Sequence, residues 1–231
     1  MRGGLQWAAD GLFPRGGNPH GVLPALLILL AMVTGIVDAV SYLGLGRVFV
    51  ANMTGNTVFL GFALLGGGDL SKWAPPLSLA CFGAGAWSSG LLTRQVGNAR
   101  RAFTIATTVH AVLVAAGLVV ALTAGHHTAG ARAALIALLA CGMGLQNASV
   151  RALGVPDLVT NVLTTTLTGL AADTPGRAAF RRFASVAAMF LGALAGATLH
   201  LNIGPAPALT LALVLLAIVA LAARRRGPRS S

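Results

Sequence analysis

The hydrophobic positions of this 231-residue chain fall into six long runs separated by short polar stretches. A helix needs roughly 17 to 25 apolar residues to cross the hydrocarbon core of a bilayer, and each run reaches that length. The pattern therefore predicts six transmembrane helices, at approximately Val22–Gly44, Pro75–Thr93, Ala102–Thr123, Gly130–Val150, Phe183–Asn202 and Ala206–Ala223.

Two further apolar segments are shorter or more polar than these six runs. Val48–Leu65 contains the stretch VANMTGNTVF, and Leu158–Ala172 reads LVTNVLTTTLTGLAA. Each segment directly follows the first long run of one half of the chain. Short, interrupted segments at matching places in two halves are typical of transporter folds that bind a solute near the bilayer midplane. We therefore expect two short polar segments that are embedded in the membrane.

A weak internal similarity relates the two halves. The stretch GIVDA at Gly35 aligns with GLQNA at Gly144, and SLACFGAGA from Ser78 aligns with SVAAMFLGA from Ser185. The separation along the chain is nearly the same for both pairs of stretches. A repeated pattern at a nearly constant separation favours an internal duplication.

These patterns predict a single transmembrane domain at residues 22–223, with repeat halves at about 22–124 and 129–223. Residues 1–21 are rich in glycine and proline and predict an irregular N-terminal tail. The first apolar run, which follows this tail, is predicted to be an uncleaved span. Residues 224–231 form a basic C-terminal tail.

Composition supports a membrane protein and not a soluble one. The chain is 56% hydrophobic and 9% charged, and its mean hydropathy is +0.81. A soluble domain carries about 25% charged residues, so this chain is predicted to be an all-α polytopic membrane protein whose partner is the lipid bilayer.

The net charge of +11 could indicate a nucleic-acid partner, but the basic residues lie in short clusters between the apolar runs and in the tail RRRGPRSS. That placement is a topology signal, and we expect no nucleic acid. The tail could contact anionic lipid or could simply flank the last span.

The same charges distinguish two topologies. If both short segments enter and leave on one side, 13 of the 16 basic residues lie on the side of the N-terminus and 3 on the other. If all eight segments cross, the division is 11 to 5. The positive-inside rule therefore favours six spans plus two embedded segments, with both termini in the cytoplasm. Eight spans, in a parallel repeat of four and four, are the alternative.

The blocks TGIVDAVSYLGLGRVFVANMTGNTVFLG and GLQNASVRALGVPDLVTNVLTTTLTGLAAD resemble the YoaK-like family of bacterial membrane proteins, a domain-of-unknown-function family. The resemblance extends from about Leu23 to Ala223. It implies an integral protein of the bacterial cytoplasmic (inner) membrane and leaves the activity open. The second block lacks the Asn-x-Thr-Gly-Asn pattern of the first.

Asp38 is the only carboxylate inside a predicted span. A charged group in a span costs about 2.5 to 3.5 kcal/mol on insertion scales and usually has a function. The two interpretations are a proton, cation or substrate site, and a structural hydrogen bond or ion pair with Arg47 or the Asn52–Asn56 stretch. The corresponding position of the second half carries Asn147, a further binding candidate.

The first embedded segment offers Asn52, Thr54, Gly55 and Asn56 as binding candidates. If the chain enters extended and turns there, a half-helix begins within the membrane, and its free N–H groups could hold an anion or a dipolar solute. The alternative is a continuous helix whose small polar residues form hydrogen bonds across a tight interface.

In the second embedded segment, the candidates for solute or ion binding are Thr164 and Thr166. His110 lies midway along its predicted span, where it is a candidate proton relay or a hydrogen-bonded core histidine. Small residues four positions apart allow helices to approach closely. Two such pairs predict packing between the halves or an oligomer contact: Gly85 with Ser89, and Gly192 with Gly196.

The sequence offers no metal-binding or catalytic pattern. Cys81 and Cys141 both lie in apolar runs without Cys-x-x-Cys or Cys/His spacing. We therefore expect no metal, no cofactor and no enzymatic activity. The leading hypothesis is a small-solute transporter or channel with a midplane site around Asp38. The alternative is a non-transporting scaffold, assembly factor or sensor, and a homo-oligomer is compatible with either.

Overall fold

The computed structural model describes residues 2–12, 20–67, 70–155, 168 and 176–224. These residues form helices and connecting loops, without a strand in the described ranges. The helices are α1 (Arg2–Leu12), α2 (Leu23–Gly44), α3 (Met53–Leu64), α4 (Ala74–Val96), α5 (Ala99–Thr123), α6 (Ala129–Leu153), α7 (Arg177–Asn202) and α8 (Pro205–Arg224).

The six predicted spans coincide with the six long helices. Five of these, α2, α5, α6, α7 and α8, are long and apolar enough to cross a membrane. The sixth, α4, has 23 residues and is about 34 Å long at 1.5 Å per residue, but its glycines and serines make it less apolar. The prediction of an all-α polytopic membrane protein is confirmed.

The first short segment begins and ends at the same end of the helix bundle. Ser71, just before α4, lies against Gly46, just after α2. The hydroxyl of Ser78 in the first turns of α4 donates to the carbonyl of Phe49 at 2.7 Å. Helix α4 therefore starts at the end of the bundle where α2 ends, so α3 does not cross the bundle.

The remaining helices alternate in direction. Helices α5 and α6 are antiparallel, because Gly117 faces Leu135 and His110 faces Gly142. The side chain of Arg100, at the start of α5, donates to a backbone carbonyl just before α2. We call the end that holds the starts of α2, α5 and α7 the terminal face, and the other end, where α2, α5 and α7 finish, the distal face.

Helices α2 and α7 run parallel and in close contact. A Cβ atom on Gly192 would overlap the carbonyl of Met32, and one on Gly196 would overlap the backbone of Ile36. The contacts advance along both helices together, which identifies the parallel arrangement. Only small residues permit such an approach between helix backbones.

Helices α4 and α6 form a second close pair. A Cβ atom on Gly85 would overlap the carbonyl of Cys141, and one on Gly144 would overlap the carbonyl of Phe82. Ser89, one turn after Gly85, is buried. The small residues singled out in the sequence thus pack helices of one half against helices of the other.

The N-terminal segment differs from the sequence prediction. Residues Arg2–Leu12 form a helix, where the glycine content predicts an irregular tail, so this part of the prediction is wrong. Ala9 and Leu12 are buried, and the Arg181 side chain donates to the Leu12 carbonyl at 3.4 Å. Tertiary packing therefore outweighs the low helix propensity of glycine.

The second embedded segment, predicted at Leu158–Ala172, lies outside the described residues apart from Thr168. The basic tail beyond Arg224 also lies outside them.

Candidate functional site

A tight turn after α2 sends the chain back toward the interior of the bundle. Gly46 has a φ of 93° and Arg47 a φ of 56°, both in the left-handed region that favours glycine. The following non-helical residues Val48, Val50 and Ala51 are 0%, 0% and 1% exposed. Non-helical backbone is tolerated at membrane depth only when protein surrounds it and its polar groups are satisfied.

Asp38 satisfies two of these backbone groups. Its Oδ1 atom accepts the N–H of Val50 at 3.0 Å and the N–H of Ala51 at 2.9 Å. The carboxylate lies on α2 and is 6% exposed. Hydrogen bonds from N–H groups to a charged acceptor are the stronger kind, so Asp38 fixes the returning segment against the helix it has just left.

The side chain of Asn56 forms hydrogen bonds with both backbone polar groups of Phe49, the residue before Val50. Its side-chain oxygen accepts the N–H of Phe49 at 2.9 Å, and its amide nitrogen donates to the carbonyl of Phe49 at 2.7 Å. Ser78 of α4 donates to the same carbonyl. Asn56 is completely buried. The side chains of Asn56 and Ser78 thus replace the backbone hydrogen bonds that a helix or a neighbouring strand would provide.

Helix α3 begins inside this segment, at Met53, and is separate from α2. Asn52 is the N-cap, and its side chain accepts the N–H of Gly55 at 3.2 Å. Asn52 and Thr54 are exposed, whereas Gly55 is half-buried. A Cβ atom on Gly55 would lie 3.0 Å from the ring of Phe49, so this glycine allows the ring to pack against the first turn of α3.

Three aromatic rings cover the segment. The Tyr42 and Phe49 rings stack with centroids 5.0 Å apart, and the Phe49 and Phe59 rings stack at 5.8 Å. This stack joins the last turns of α2, the returning chain and α3. Aromatic stacking adds roughly 0.5 to 1.5 kcal/mol per pair beyond buried area.

A second set of polar side chains lies on α2, α5 and α6 inside the bundle. The Gln146 amide nitrogen donates to the Thr34 hydroxyl at 3.2 Å, and Thr34 donates to the Leu30 carbonyl at 3.0 Å. The imidazole of His110 lies against Gly142 of α6, one turn before Gln146, and Thr107 precedes His110 by one turn. We call Thr34, Thr107, His110 and Gln146 the central polar cluster.

Several atoms of the central polar cluster have no well-formed hydrogen bond among the described residues. They are both ring nitrogens of His110, Oε1 of Gln146 and Oγ1 of Thr107. Their residues are 0%, 1% and 2% exposed, respectively. Buried polar groups in native proteins are nearly always hydrogen-bonded, so these atoms are available to a polar group other than the described side chains.

Asn147 lies next to this cluster on α6. Its amide nitrogen donates to the Met143 carbonyl at 2.8 Å. The candidates of the second segment, Thr164 and Thr166, lie outside the described residues.

Three histidines meet at the distal face. The rings of His126 and His127 have centroids 3.9 Å apart, and those of His126 and His200 lie 5.7 Å apart. Among the described residues, no group of His, Cys, Asp or Glu has the geometry to hold a metal ion. The Arg132 side chain donates to the His126 carbonyl at 3.0 Å, which ties the α5–α6 loop to α6.

The sequence indicates Asp38 and Asn56 as candidates but not their partners. Asp38 accepts the N–H groups of Val50 and Ala51, and Asn56 and Ser78 both bond to the backbone of Phe49. Sequence reasoning also missed Thr107, although the spacing of three residues to His110 places both on one face of α5. That spacing is the signal that could have identified it.

Comparisons with known proteins identify the family of this chain. A family described as "Protein of unknown function (DUF1275)" matches residues 26–222. The "UPF0700 transmembrane protein YoaK" of Bacillus subtilis (strain 168) is 33% identical over 159 residues, which are 68% of this chain and 69% of that protein. No solved structure matches. The chain is a multi-pass membrane protein that belongs to the DUF1275 family.

Proposed function

We propose that the protein is a small-solute transporter of the bacterial cytoplasmic membrane. Its two inverted halves would expose a central site to either side of the membrane in turn. The observation that carries the proposal is the recurrence of the same close helix contacts in opposite orientation. Inverted repeats with short embedded segments are the usual framework of alternating access.

The recurrence extends to individual backbone atoms. Gly35 on α2 meets the carbonyl of Met189 on α7, and Gly144 on α6 meets the carbonyl of Phe82 on α4. Gly35 and Gly144 begin the aligned stretches GIVDA and GLQNA, and Phe82 and Met189 occupy the same place in the second aligned pair of stretches. In the alignment of the two halves, the contact of Gly35 with Met189 therefore corresponds to the contact of Gly144 with Phe82.

The reciprocal contacts show the same correspondence. Gly192 meets the carbonyl of Met32, and Gly85 meets the carbonyl of Cys141. Gly85 and Gly192 are aligned in the two halves, and so are Met32 and Cys141. A single contact between common residues can arise by chance, but two pairs of corresponding contacts support a duplication.

The direction of the helices supports an inversion. Helix α2, the first span of the first half, runs from the terminal face to the distal face, and α6, the first span of the second half, runs the other way. The first embedded segment enters from the distal face. The pair α2–α7 and the pair α4–α6 pack in the same way but run in opposite directions. One pair could therefore tighten while the other opens, which would expose a central site to either side in turn.

The charges support an orientation with both termini in the cytoplasm. Nine described basic residues lie at the terminal face and three at the distal face. Positive charge is enriched in cytoplasmic loops. The terminal-face residues are Arg2, Arg94, Arg100, Arg101, Arg151, Arg177, Arg181, Arg182 and Arg224, and the distal-face residues are Arg47, Lys72 and Arg132.

Flux measurements in proteoliposomes test the proposal. Neutral, anionic and cationic probe solutes would be compared between protein-containing and protein-free vesicles. We expect protein-dependent flux for at least one class of solute. Gly35→Ala and Gly144→Ala should slow this flux, because the added methyl group pushes the two helices of each pair apart. Gly83→Ala, at an open position of α4 where a Cβ meets nothing within 4 Å, is the matched control. Absence of flux for all three classes would overturn the proposal.

The second candidate is a non-transporting membrane scaffold. The observation that favours it is that Oδ1 of Asp38 and both ends of the Asn56 amide are already used to hold backbone. Under this alternative the embedded polar residues serve structure alone. A stoichiometric partner captured from the membrane, together with absence of flux, would support it. Neither candidate includes an enzymatic reaction.

A further inference from the structure

We propose that the solute site is the central polar cluster and that it accepts a small neutral solute carrying both hydrogen-bond donors and acceptors. This inference rests on the proposed transport function and specifies its site and substrate class. It separates the binding role from Asp38, which holds the re-entrant chain.

The location of the cluster supports this assignment. The hydrogen bond between Gln146 and Thr34 joins α6 to α2, the first spans of the two halves. His110 and Thr107 approach from α5, so three helices contribute. In folds with inverted halves, the solute binds near the midplane at the interface of the halves, which is where α2 and α6 approach each other.

The unpaired atoms specify the chemistry of the ligand. A neutral imidazole offers one donor and one acceptor, Oε1 of Gln146 is an acceptor, and the Thr107 hydroxyl can act as either. A bound solute would therefore need N–H or O–H groups for the acceptors and an oxygen for the donors. Amides, urea-like molecules and short polyols have both.

The surroundings favour a neutral solute over an ion. The four side chains of the cluster are uncharged polar groups or an imidazole. The nearest carboxylate on α2, Asp38, follows Thr34 by one turn, and its Oδ1 is directed to Val50 and Ala51. An ion buried without a nearby counter-charge carries a large desolvation cost, whereas a neutral solute with paired hydrogen bonds does not.

Binding and flux of defined probes test the inference separately. The purified protein would be screened for thermal stabilisation by acetamide, urea and glycerol, with acetate and methylammonium as charged probes. The same neutral probes would be followed in proteoliposomes by osmotic swelling, and water permeability would be measured alongside. We expect stabilisation and protein-dependent swelling with at least one neutral probe and no response to the charged probes.

Isosteric variants localise the site. Thr107→Val removes a hydroxyl that makes no hydrogen bond with the described residues, so the fold should be retained while probe affinity falls about fivefold, the equivalent of one hydrogen bond. Thr104→Val, on the same helix, removes the hydroxyl of a half-buried residue, which donates to the Arg100 carbonyl, and is the matched control. Gln146→Leu should abolish the response to the probe.

The outcomes distinguish the two proposals. Flux of a charged probe that is unaffected by Thr107→Val and Gln146→Leu would overturn this site and leave transport standing. Stabilisation by a neutral probe that is lost in Gln146→Leu, without flux, would support the site and overturn transport. Permeability to water alone, or equal affinity in Thr107→Val and Thr104→Val, would overturn the assignment of a solute site.

Discussion

Asn56 holds the backbone of Phe49 from both sides, accepting its N–H at 2.9 Å and donating to its carbonyl at 2.7 Å. The two residues are seven positions apart, and both lie in a segment that enters the bundle and leaves by the same face. An amide side chain provides one acceptor and two donors, so it replaces a hydrogen-bonded neighbouring strand. This explains how an asparagine is retained in an otherwise apolar stretch.

Replacement of Asn56 should destabilise the protein strongly. Asn56→Leu keeps the branching of the side chain but leaves the Phe49 N–H without a partner in a buried position, which costs about 1 to 3 kcal/mol, with the loss of the second bond adding to it. We expect a total of about 2 to 4 kcal/mol in the free energy of unfolding, measured by SDS titration in bicelles. Asn52→Ala, which removes an exposed N-cap, should cost about 1 kcal/mol. An equal cost for both would contradict this account.

Asp38 should tolerate asparagine better than leucine. In Asp38→Asn an oxygen can still accept the N–H groups of Val50 and Ala51, so we expect a loss of about 1 to 2 kcal/mol from weaker, uncharged bonds. Asp38→Leu leaves both N–H groups unpaired and should cost about 2 to 5 kcal/mol. The same unfolding titration measures both variants. If Asp38→Asn folds normally yet loses all flux, the charge itself takes part in transport, as the sequence prediction has it.

The two glycine contacts should be equally sensitive. Gly35→Ala and Gly144→Ala each place a methyl group against a facing carbonyl, and we expect each to cost about 1 to 3 kcal/mol through separation of the helices. Gly83→Ala meets open space and should be neutral or stabilising by about 0.5 to 1 kcal/mol, because alanine favours the helix. Thermal unfolding of the three variants provides the comparison. A large loss at only one of the two glycines would argue against equivalent roles.

Single cysteines distinguish six spans from eight. Starting from a variant in which Cys81 and Cys141 are replaced by alanine, Leu65→Cys and Thr128→Cys should both react with a membrane-impermeant maleimide added outside cells. Asn98→Cys should react only after the membrane is permeabilised. Leu65, just after α3, is 91% exposed, so access is not limiting. Protection of Leu65→Cys from the external reagent would mean that α3 crosses the membrane.

Acidification should lower the stability of the folded protein through His126 at the distal face. Burial, followed by the positive charges of His127, His200 and Arg132, lowers the pKa of His126 below its ordinary value of 6.5. The unfolded chain therefore binds a proton more readily than the folded one, and stability falls as the pH drops through the ordinary value toward the lowered pKa. We expect the melting temperature to decrease between about pH 7.5 and about pH 5, and to decrease less in His126→Gln. An identical pH profile for the two proteins would refute this contribution of His126.

The sequence alone determined the helices that span the bundle. Val22–Gly44 was predicted and Leu23–Gly44 is observed, and the predicted Pro75–Thr93 lies within Ala74–Val96. Hydropathy over about twenty residues is a local property, so it can be read without knowledge of neighbours. The break before α3 was also predictable, because asparagine and threonine at Asn52 and Thr54 favour a helix start.

Only the tertiary structure decided what the polar residues contact. Asp38 reaches Val50 and Ala51 because the turn at Gly46 folds the chain back along α2. Gln146 meets Thr34 across 112 residues of sequence, a pairing set by how α2 and α6 pack. A polar side chain in a span must find a partner, but which partner it finds depends on the packing of whole helices, and no local pattern encodes that choice.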